Sequence, residues 1–125
     1  MTTSKEKESD LIIHLAKKFI GELNEIEPEF ERAFYRFYVE DRMYESSSSY
    51  TTSDDVYIVS AFDSAEFFED MDKMCLELMQ EMQKVPALLL LSIDKNFDYK
   101  IQFEYADFNK WNISLLDEAS GIPTE

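Results

Sequence analysis

Residues 88–105 read LLLLSIDKNFDYKIQFEY, and this stretch decides the fold. Its first part, Leu88–Ile93, is a short apolar run with the length of a buried strand. Its second part, Tyr99–Tyr105, alternates strictly between apolar and polar side chains, as a half-buried strand does. The polar residues between them, Lys95–Asp98, predict a turn. The stretch therefore predicts an antiparallel β-hairpin whose second strand carries two different faces: Tyr99, Ile101, Phe103 and Tyr105 on one, and Lys100, Gln102 and Glu104 on the other.

A second pair of strands is predicted upstream. Residues Ala33–Val39 alternate with a period of two and are rich in aromatic side chains, which favours a strand. The Ser46–Ser49 run predicts the turn after it. The next strand is predicted over either Tyr50–Thr52 or Val56–Ser60. The stretch Ser53-Asp54-Asp55 between those options is then either a bulge or the turn itself.

Two amphipathic helices complete the pattern. In the first, apolar side chains recur three and four residues apart, at Leu11, Ile12, Leu15, Phe19 and Leu23. Ser9 is the predicted N-cap, and the helix is expected to end by Glu27-Pro28. A second apolar stripe runs from Phe67 to Met82. There Asp63 and Glu66 predict a capping box, and Val85-Pro86 ends the helix.

The element order α-β-β-α-β-β predicts a fold of the α+β class in a single domain, residues 1–125. Hairpins between consecutive strands favour one antiparallel sheet of about four strands. Both helices are expected on one face of this sheet, with the other face in water. Residues 1–8 and 118–125 are expected to be loose termini.

Charge is the strongest compositional feature. The chain has 27 acidic and 12 basic residues, for a formal net charge of −15. Residues 1–24 are balanced, with four of each sign, so the whole surplus lies in residues 25–125. Phosphate groups would be repelled by such a surface, which argues against nucleic acid or an anionic membrane as partner. The composition favours a basic protein partner instead.

Compartment is predicted from cysteine usage and hydropathy. Cys75 is the single cysteine, so no internal disulfide framework exists and a reducing cytoplasm is expected. Residues 1–10 lack the apolar core and small-residue cleavage site of a signal peptide. The longest uninterrupted apolar run, Ala87–Leu91, is too short to span a bilayer. A cytoplasmic protein without a membrane partner is therefore expected.

Residues for catalysis or metal binding are scarce. One histidine, His14, and one cysteine argue against a zinc site. An all-carboxylate cation site on one helix is conceivable, but an ordinary solvated helix face is favoured over it: Glu69, Asp70 and Asp72. Cys75 is predicted to be a buried inert thiol, and His14 to be a packing or surface residue. The methionines of the second helix are predicted to pack in the core rather than to line a groove: Met71, Met74, Met79 and Met82.

Glycine occurs only at positions 21 and 121, so no phosphate-binding loop is present. A binding protein without a cofactor is therefore predicted, rather than an enzyme. A small metal-dependent enzyme is the least favoured alternative.

Tyrosines interleaved with carboxylates on the strands mark the predicted binding surface. Exposed rings supply buried anchors and carboxylates supply charge for a Lys/Arg-rich partner. An alternative of equal weight is that the rings pack on the sheet and the acids maintain solubility. The predicted interface residues are Glu40, Asp41, Tyr44, Glu45, Asp54, Asp55, Glu104, Tyr105, Asp107 and Trp111.

Four stretches together resemble a known family: the opening helix Leu11–Leu23, the aromatic strand Phe34–Tyr38, the helix start Phe67–Met71, and the hairpin Leu90–Tyr105. The chain resembles the YezG-like immunity (antitoxin) proteins of bacterial polymorphic toxin systems. The resemblance implies an antitoxin that binds and neutralises a cognate toxin domain, often a basic nuclease, inside the producing cell. The alternative is an acidic adaptor or chaperone-like domain for a basic partner that is not a toxin.

Overall fold

A computed structural model describes residues 4–41, 43–83, 85–111, 113 and 123. Two helices and five strands follow one another along the chain: α1 (Ser4–Ile26), β1 (Arg32–Glu40), β2 (Met43–Thr51), β3 (Val56–Ile58), α2 (Ala65–Met82), β4 (Ala87–Asp94) and β5 (Tyr99–Glu104). The predicted α+β class is confirmed. The sheet has five strands rather than about four.

The strands form one sheet in the order β3-β2-β1-β4-β5, and every neighbouring pair is antiparallel. Strand β1 lies at the centre, where Tyr35 faces Ser48 of β2 and Leu91 of β4. Strand β4 also has a neighbour on each side, and apolar clusters on both faces of the sheet bury its apolar run. The predicted hairpin of β4 and β5 is confirmed.

The Ser46–Ser49 run is not a turn. It lies inside β2, and the chain reverses instead between Glu40 and Met43, where Asp41 has a positive φ of 46°. Aspartate tolerates this conformation, which tight hairpins require. The small serines face the large rings of β1, with Ser48 opposite Tyr35 and Ser46 opposite Phe37. Their size therefore suits a strand packed against aromatic neighbours.

Both options for the strand after the serine run are used. Residues 50 and 51 end β2, and Val56–Ile58 forms the short edge strand β3. Between them the Thr52 amide donates to the Asp55 carbonyl at 2.9 Å. The Ser53-Asp54-Asp55 stretch is thus the turn and not a bulge, which adds the fifth strand.

Both predicted helix starts are wrong. Helix α1 begins at Ser4 rather than after Ser9, so residues 4–8, expected to be loose, are helical. Good helix formers occupy these positions, and Lys7 Nζ lies 3.6 Å from Glu81 of α2. At α2 the N-cap is Ser64, without a side-chain cap bond, so Asp63 and Glu66 form no capping box. Most of 118–125 lies outside the described residues.

The residues before α2 form a hydrogen-bonded turn that replaces the capping box. The Ser64 amide donates to the Ser60 carbonyl at 2.9 Å, and the Asp63 amide donates to Ser60 Oγ at 3.1 Å. The Phe68 amide then donates to the Ser64 carbonyl at 3.0 Å. The turn thereby satisfies the amides of Asp63 and Ser64 just before the helix, and Ser64 accepts the first bond of the helix itself.

Both faces of the sheet carry an apolar cluster. On the helix-covered face, Ala33, Tyr35, Phe37 and Val39 of β1 pack with residues of α1 and α2 such as Phe19 and Met71. The prediction that the other face lies in water is wrong where Trp111 and Ile113 cover it. These two residues pack on Phe34, Leu88 and Leu90. The reason is that this side of β1 and β4 is itself apolar and needs a cover.

Candidate protein-binding surface

The β1–β2 hairpin brings four of the ten predicted interface residues together. We define the hairpin corner as Glu40, Asp41, Met43, Tyr44 and Glu45. Glu40 faces Met43 across the hairpin, and all five side chains are exposed. The apolar part of this surface is substantial, because Met43 is 60% exposed and Tyr44 is 46% exposed. The ring of Tyr44 stacks on Phe37, with 5.9 Å between the ring centroids, which fixes its position.

The hairpin corner has more carboxylates than nearby cations. Among the described residues, the single ion pair of this corner joins Glu45 Oε1 to Arg36 Nη1 at 3.9 Å, and the Glu45 side chain remains 70% exposed. The Glu40 carboxylate accepts a hydrogen bond from the Tyr38 hydroxyl, which raises the pKa of that tyrosine. A tyrosine donor neutralises no charge, so the corner keeps a negative field.

Arg36 is a structural residue rather than part of the exposed surface. Its side chain is buried, and Nε and Nη2 donate to the carbonyls of Lys110 at 3.0 Å and Phe108 at 2.6 Å. Burial lowers the pKa of the guanidinium, and the Glu45 charge acts in the opposite direction. Arg36 therefore fastens the segment after β5 to the middle of the sheet.

Two of the predicted interface acids close local turns at the end of β5. Glu104 Oε1 lies 3.0 Å from Lys110 Nζ, and Oε2 accepts the amides of Ala106 and Asp107 at 3.0 and 3.2 Å. The hydrogen bond from Lys110, followed by the two amides, lowers the pKa of Glu104 to about 2. Asp107 Oδ1 in turn accepts the amide of Asn109 at 3.1 Å. These carboxylates are held by their own segment.

Tyr105 and Trp111 have different environments. Tyr105 is 44% exposed and its ring stacks on Phe103, with 6.4 Å between centroids and 2° between planes. Trp111 is only 4% exposed and belongs to the apolar cluster on the second face. It offers no anchor to a partner. A tryptophan beside acidic residues suggested a surface position, but its location is determined by the apolar face of β1 and β4.

Asp54 and Asp55 lie at the other end of the sheet. They occupy the turn between β2 and β3, while the hairpin corner lies at the start of β2. The nine residues of β1 separate the two ends by about 26 Å at roughly 3.3 Å per residue. Both amides donate to Thr52 Oγ1, at 3.2 and 3.3 Å. The structure thus divides the ten predicted residues among separate places.

Phe62 is a surface residue that the sequence prediction missed. Its side chain is 92% exposed, in the turn between β3 and α2. That turn begins beside the middle of β2, because the Val59 amide donates to the Ser48 carbonyl at 2.9 Å. One sequence signal for this exposure was present. Phe62 lies five residues before Phe67, outside the helical spacing that Phe67 and Met71 share, and so outside the buried stripe of α2.

The outer edge of β2 is open near the hairpin corner. Strand β3 pairs only with residues 49–51 of β2, and within the part of the chain that the structure describes no strand pairs with residues 43–47 on that side. The hairpin corner and this open edge are continuous along β2, and the turn that carries Phe62 begins beside Ser48, at the other end of the open edge. An open edge can receive an extended segment of a partner.

The other candidate sites have structural explanations. Asp70 forms an ion pair with Lys18 at 3.1 Å, while Asp72 accepts the hydroxyl of buried Tyr35. Burial raises the pKa values of both Asp72 and Tyr35. Over residues 4–41, 43–83 and 85–111, no three His, Cys, Asp or Glu side chains converge as metal ligands do.

The remaining single-residue predictions are confirmed. Cys75 is buried, and burial raises the pKa of its thiol. His14 is exposed on α1. The methionines of α2 pack in or against the helix-covered core, fully for Met71 and Met79 and partly for Met74 and Met82. Of the helices described, none is long and apolar enough to cross a membrane.

A comparison of the chain with models of known protein families finds no match, and a comparison with curated proteins finds none either. The resemblance to YezG-like immunity proteins stays a prediction from the sequence.

Proposed function

We propose that this protein is an immunity protein, an antitoxin that binds a basic toxin domain, such as a nuclease, inside the producing cell. The supporting observation is the hairpin corner, where exposed Met43 lies on the same face as Glu40 and Glu45, and exposed Tyr44 lies on the other face of the same hairpin end. In this proposal the hairpin corner and Phe62 form the docking surface, and binding blocks the toxin by direct contact.

Charge complementarity supports this choice of partner. Glu40, Asp41 and Glu45 give the hairpin corner a charge of −3, and with Arg42 the sequence of residues 40–45 carries a formal charge of −2. The whole chain adds a field of the same sign, with a net charge of −15. A nuclease presents cations to nucleic acid, so an acidic surface can occupy the same groove and be drawn there rapidly.

Apolar anchors support a tight complex rather than loose electrostatic attraction. Protein interfaces derive most of their affinity from a few large side chains that become buried on binding. Met43, Tyr44 and Phe62 are large apolar or aromatic side chains that remain exposed in the folded chain, at 60%, 46% and 92%. The open edge of β2 adds backbone donors and acceptors between these anchors.

The test uses the C-terminal domain of the protein encoded by the adjacent gene, because an immunity gene normally lies beside its toxin gene. The corner variant E40Q/D41N/E45Q should bind this domain about 30-fold more weakly, or about 2 kcal/mol, by titration calorimetry. Asparagine tolerates the positive φ of residue 41, so the hairpin should stay intact.

The matched control is D54N/D55N/D98N, which removes the same charge from exposed positions at the opposite end of the sheet. It should bind within about threefold of the wild type, since screened charges more than a Debye length away contribute little. Equal loss in both variants would refute the corner as the docking surface. An adjacent gene product that is not a toxin, or that does not bind, would refute the antitoxin function and favour an adaptor.

A further inference from the structure

The edge strand β5 lacks a neighbour on one side. It pairs with β4 along its whole length, from Tyr99 opposite Ile93 to Glu104 opposite Leu88. It is the outermost strand on its side of the sheet. Within the described residues no backbone hydrogen bond reaches its outer side. A six-residue strand with an open edge is a template for pairing with another strand.

The helix-side face of this edge is apolar and incompletely covered. Ile101 and Phe103 are partly buried against the core, while Tyr99 is 45% exposed and Tyr105 is 44% exposed. These four side chains form one row, because alternate residues of a strand share a face. A strand added to β5 would continue the sheet and place its own side chains next to this row.

The opposite face of the edge carries one cation and one anion. Lys100 and Glu104 lie on either side of Gln102, each two residues away from it. In an antiparallel pair formed across a two-fold axis, one residue faces its own copy. If that residue is Gln102, Lys100 of each strand faces Glu104 of the other. In its own chain this carboxylate also binds Lys110 and the amides of Ala106 and Asp107, so Lys100 would be a further cation beside it. The same register pairs Ile101 with Phe103 and Tyr99 with Tyr105.

The charges of β5 distinguish this register from registers whose two-fold axis lies at a different residue. An axis at Ile101 would place Asp98 opposite Glu104, and an axis at Lys100 would place two lysines opposite each other. Like charges directly opposite one another destabilise a strand pair, and opposite charges stabilise it. An axis at Phe103 would leave Lys100 facing an alanine. An axis at Tyr99 would face Lys100 with Asp98, but it would leave Ile101–Glu104 without a strand partner. Among axes from Lys100 to Phe103, the one at Gln102 places opposite charges in two pairs.

We propose that a second copy of this chain pairs with β5, antiparallel and in register about Gln102, so that the two sheets join into one sheet of ten strands. The contact is isologous, with the same patch on both copies. It lies on the edge opposite β2 and the hairpin corner, so that each copy in the dimer could still bind a partner there.

The net charge of the chain predicts how salt affects this dimer. Two copies of charge −15 repel each other, so added salt should strengthen the association until the local Lys100–Glu104 pairs are also screened. Because the measurement needs only the purified chain, its outcome is independent of any toxin.

The first experiment is sedimentation equilibrium over a concentration series. The expected mass rises from 14.8 kDa to twice that value. In Lys100→Glu, two carboxylate pairs replace the two ion pairs, and the dimer should weaken by at least about tenfold. The control Lys95→Glu makes the same charge change in the turn before β5 and should dimerise like the wild type.

The second experiment tests the register. Gln102→Cys should form a disulfide-linked dimer on mild oxidation, because paired residues have Cα atoms about 4.5–5.5 Å apart. Lys100→Cys should not, since its own copy would lie roughly 14 Å away at about 3.4 Å per residue. A monomer at all concentrations, with no cross-link in Gln102→Cys, would overturn the proposal. Cross-linking of Lys100→Cys alone would overturn the register.

Discussion

The hairpin corner and the β5 edge are both exposed, both carry aromatic side chains, and lie on opposite sides of one sheet. They differ in the pattern of charge. The corner groups Glu40, Asp41 and Glu45, whereas the β5 edge spaces Lys100 and Glu104 evenly about Gln102. The first pattern repels a copy of itself and suits a basic partner. The second is complementary to itself. Charge arrangement, rather than exposure, decides which kind of partner each region can take.

The largest expected effect on stability distinguishes two aromatic residues, Trp111 on the packed second face and Phe62 on the exposed turn before α2. Trp111→Ala should lower the free energy of unfolding by about 3–5 kcal/mol, because Trp111 fills the cluster on the second face. Phe62→Ala should change stability by less than about 0.5 kcal/mol, because its side chain is 92% exposed. Urea unfolding measures both.

Phe62→Ala should nevertheless weaken binding of the adjacent-gene toxin domain, whereas Trp111→Phe should leave binding unchanged. The opposite result, with Trp111 tolerant of alanine in unfolding experiments and Phe62 needed for stability, would contradict the division into a packed face and a docking surface.

The next effect concerns Arg36, which connects the two regions. It touches Glu45 at the hairpin corner and the carbonyl of Lys110, whose side chain holds Glu104 at the end of β5. Arg36→Met leaves two carbonyls without their charged donor and should cost about 2–4 kcal/mol. Chemical denaturation should detect this loss.

Arg32→Met is the matched control, since Arg32 is an exposed cation over the ring of Phe34. Its loss should cost less than about 1 kcal/mol. Comparable destabilisation by both variants would show that the bonds of Arg36 to Phe108 and Lys110 do not hold the segment in place.

The smallest effect is a pH dependence confined to the end of β5. The pKa of Glu104 is about 2 in the folded chain, against an ordinary value of 4.5. Its contribution to stability is therefore present above about pH 4.5 and is lost as the pH falls through 2, because the unfolded state takes up the proton first.

Glu104→Gln should remove this contribution, so the stability difference between wild type and variant should shrink on acidification from pH 4.5 to 2. Thermal unfolding at several pH values measures the difference. A constant difference for Glu104→Gln would contradict its role in the turn.

Periodic patterns in the sequence predicted the elements whose burial is one-sided. The alternation in β1 and β5 predicted which strand side chains face the helices. The stripe of α2 predicted which helix side chains face the core, since the period of a pattern determines the face on which it lies. Polarity predicted less well. Ser46–Ser49 look like a turn when taken alone, but β1 presents large rings that small serines can oppose.

The binding surface was predictable only in part. Residues 40–45 are local in sequence and stay together in a hairpin, so the four predicted interface residues among them remain neighbours. Glu104 and Asp107 bind their own turns, and Trp111 is covered, because contacts across the sheet decide their roles. Phe62 is 92% exposed in the turn before α2, where no periodic pattern relates sequence position to burial.

The most direct test of the central claim is the salt dependence of binding to the adjacent-gene toxin domain, measured by calorimetry between low and physiological salt. Affinity of the wild-type chain should fall as salt rises, and the slope should flatten in E40Q/D41N/E45Q but not in D54N/D55N/D98N. Identical slopes for all three proteins would contradict the claim that the carboxylates of the hairpin corner engage a basic partner.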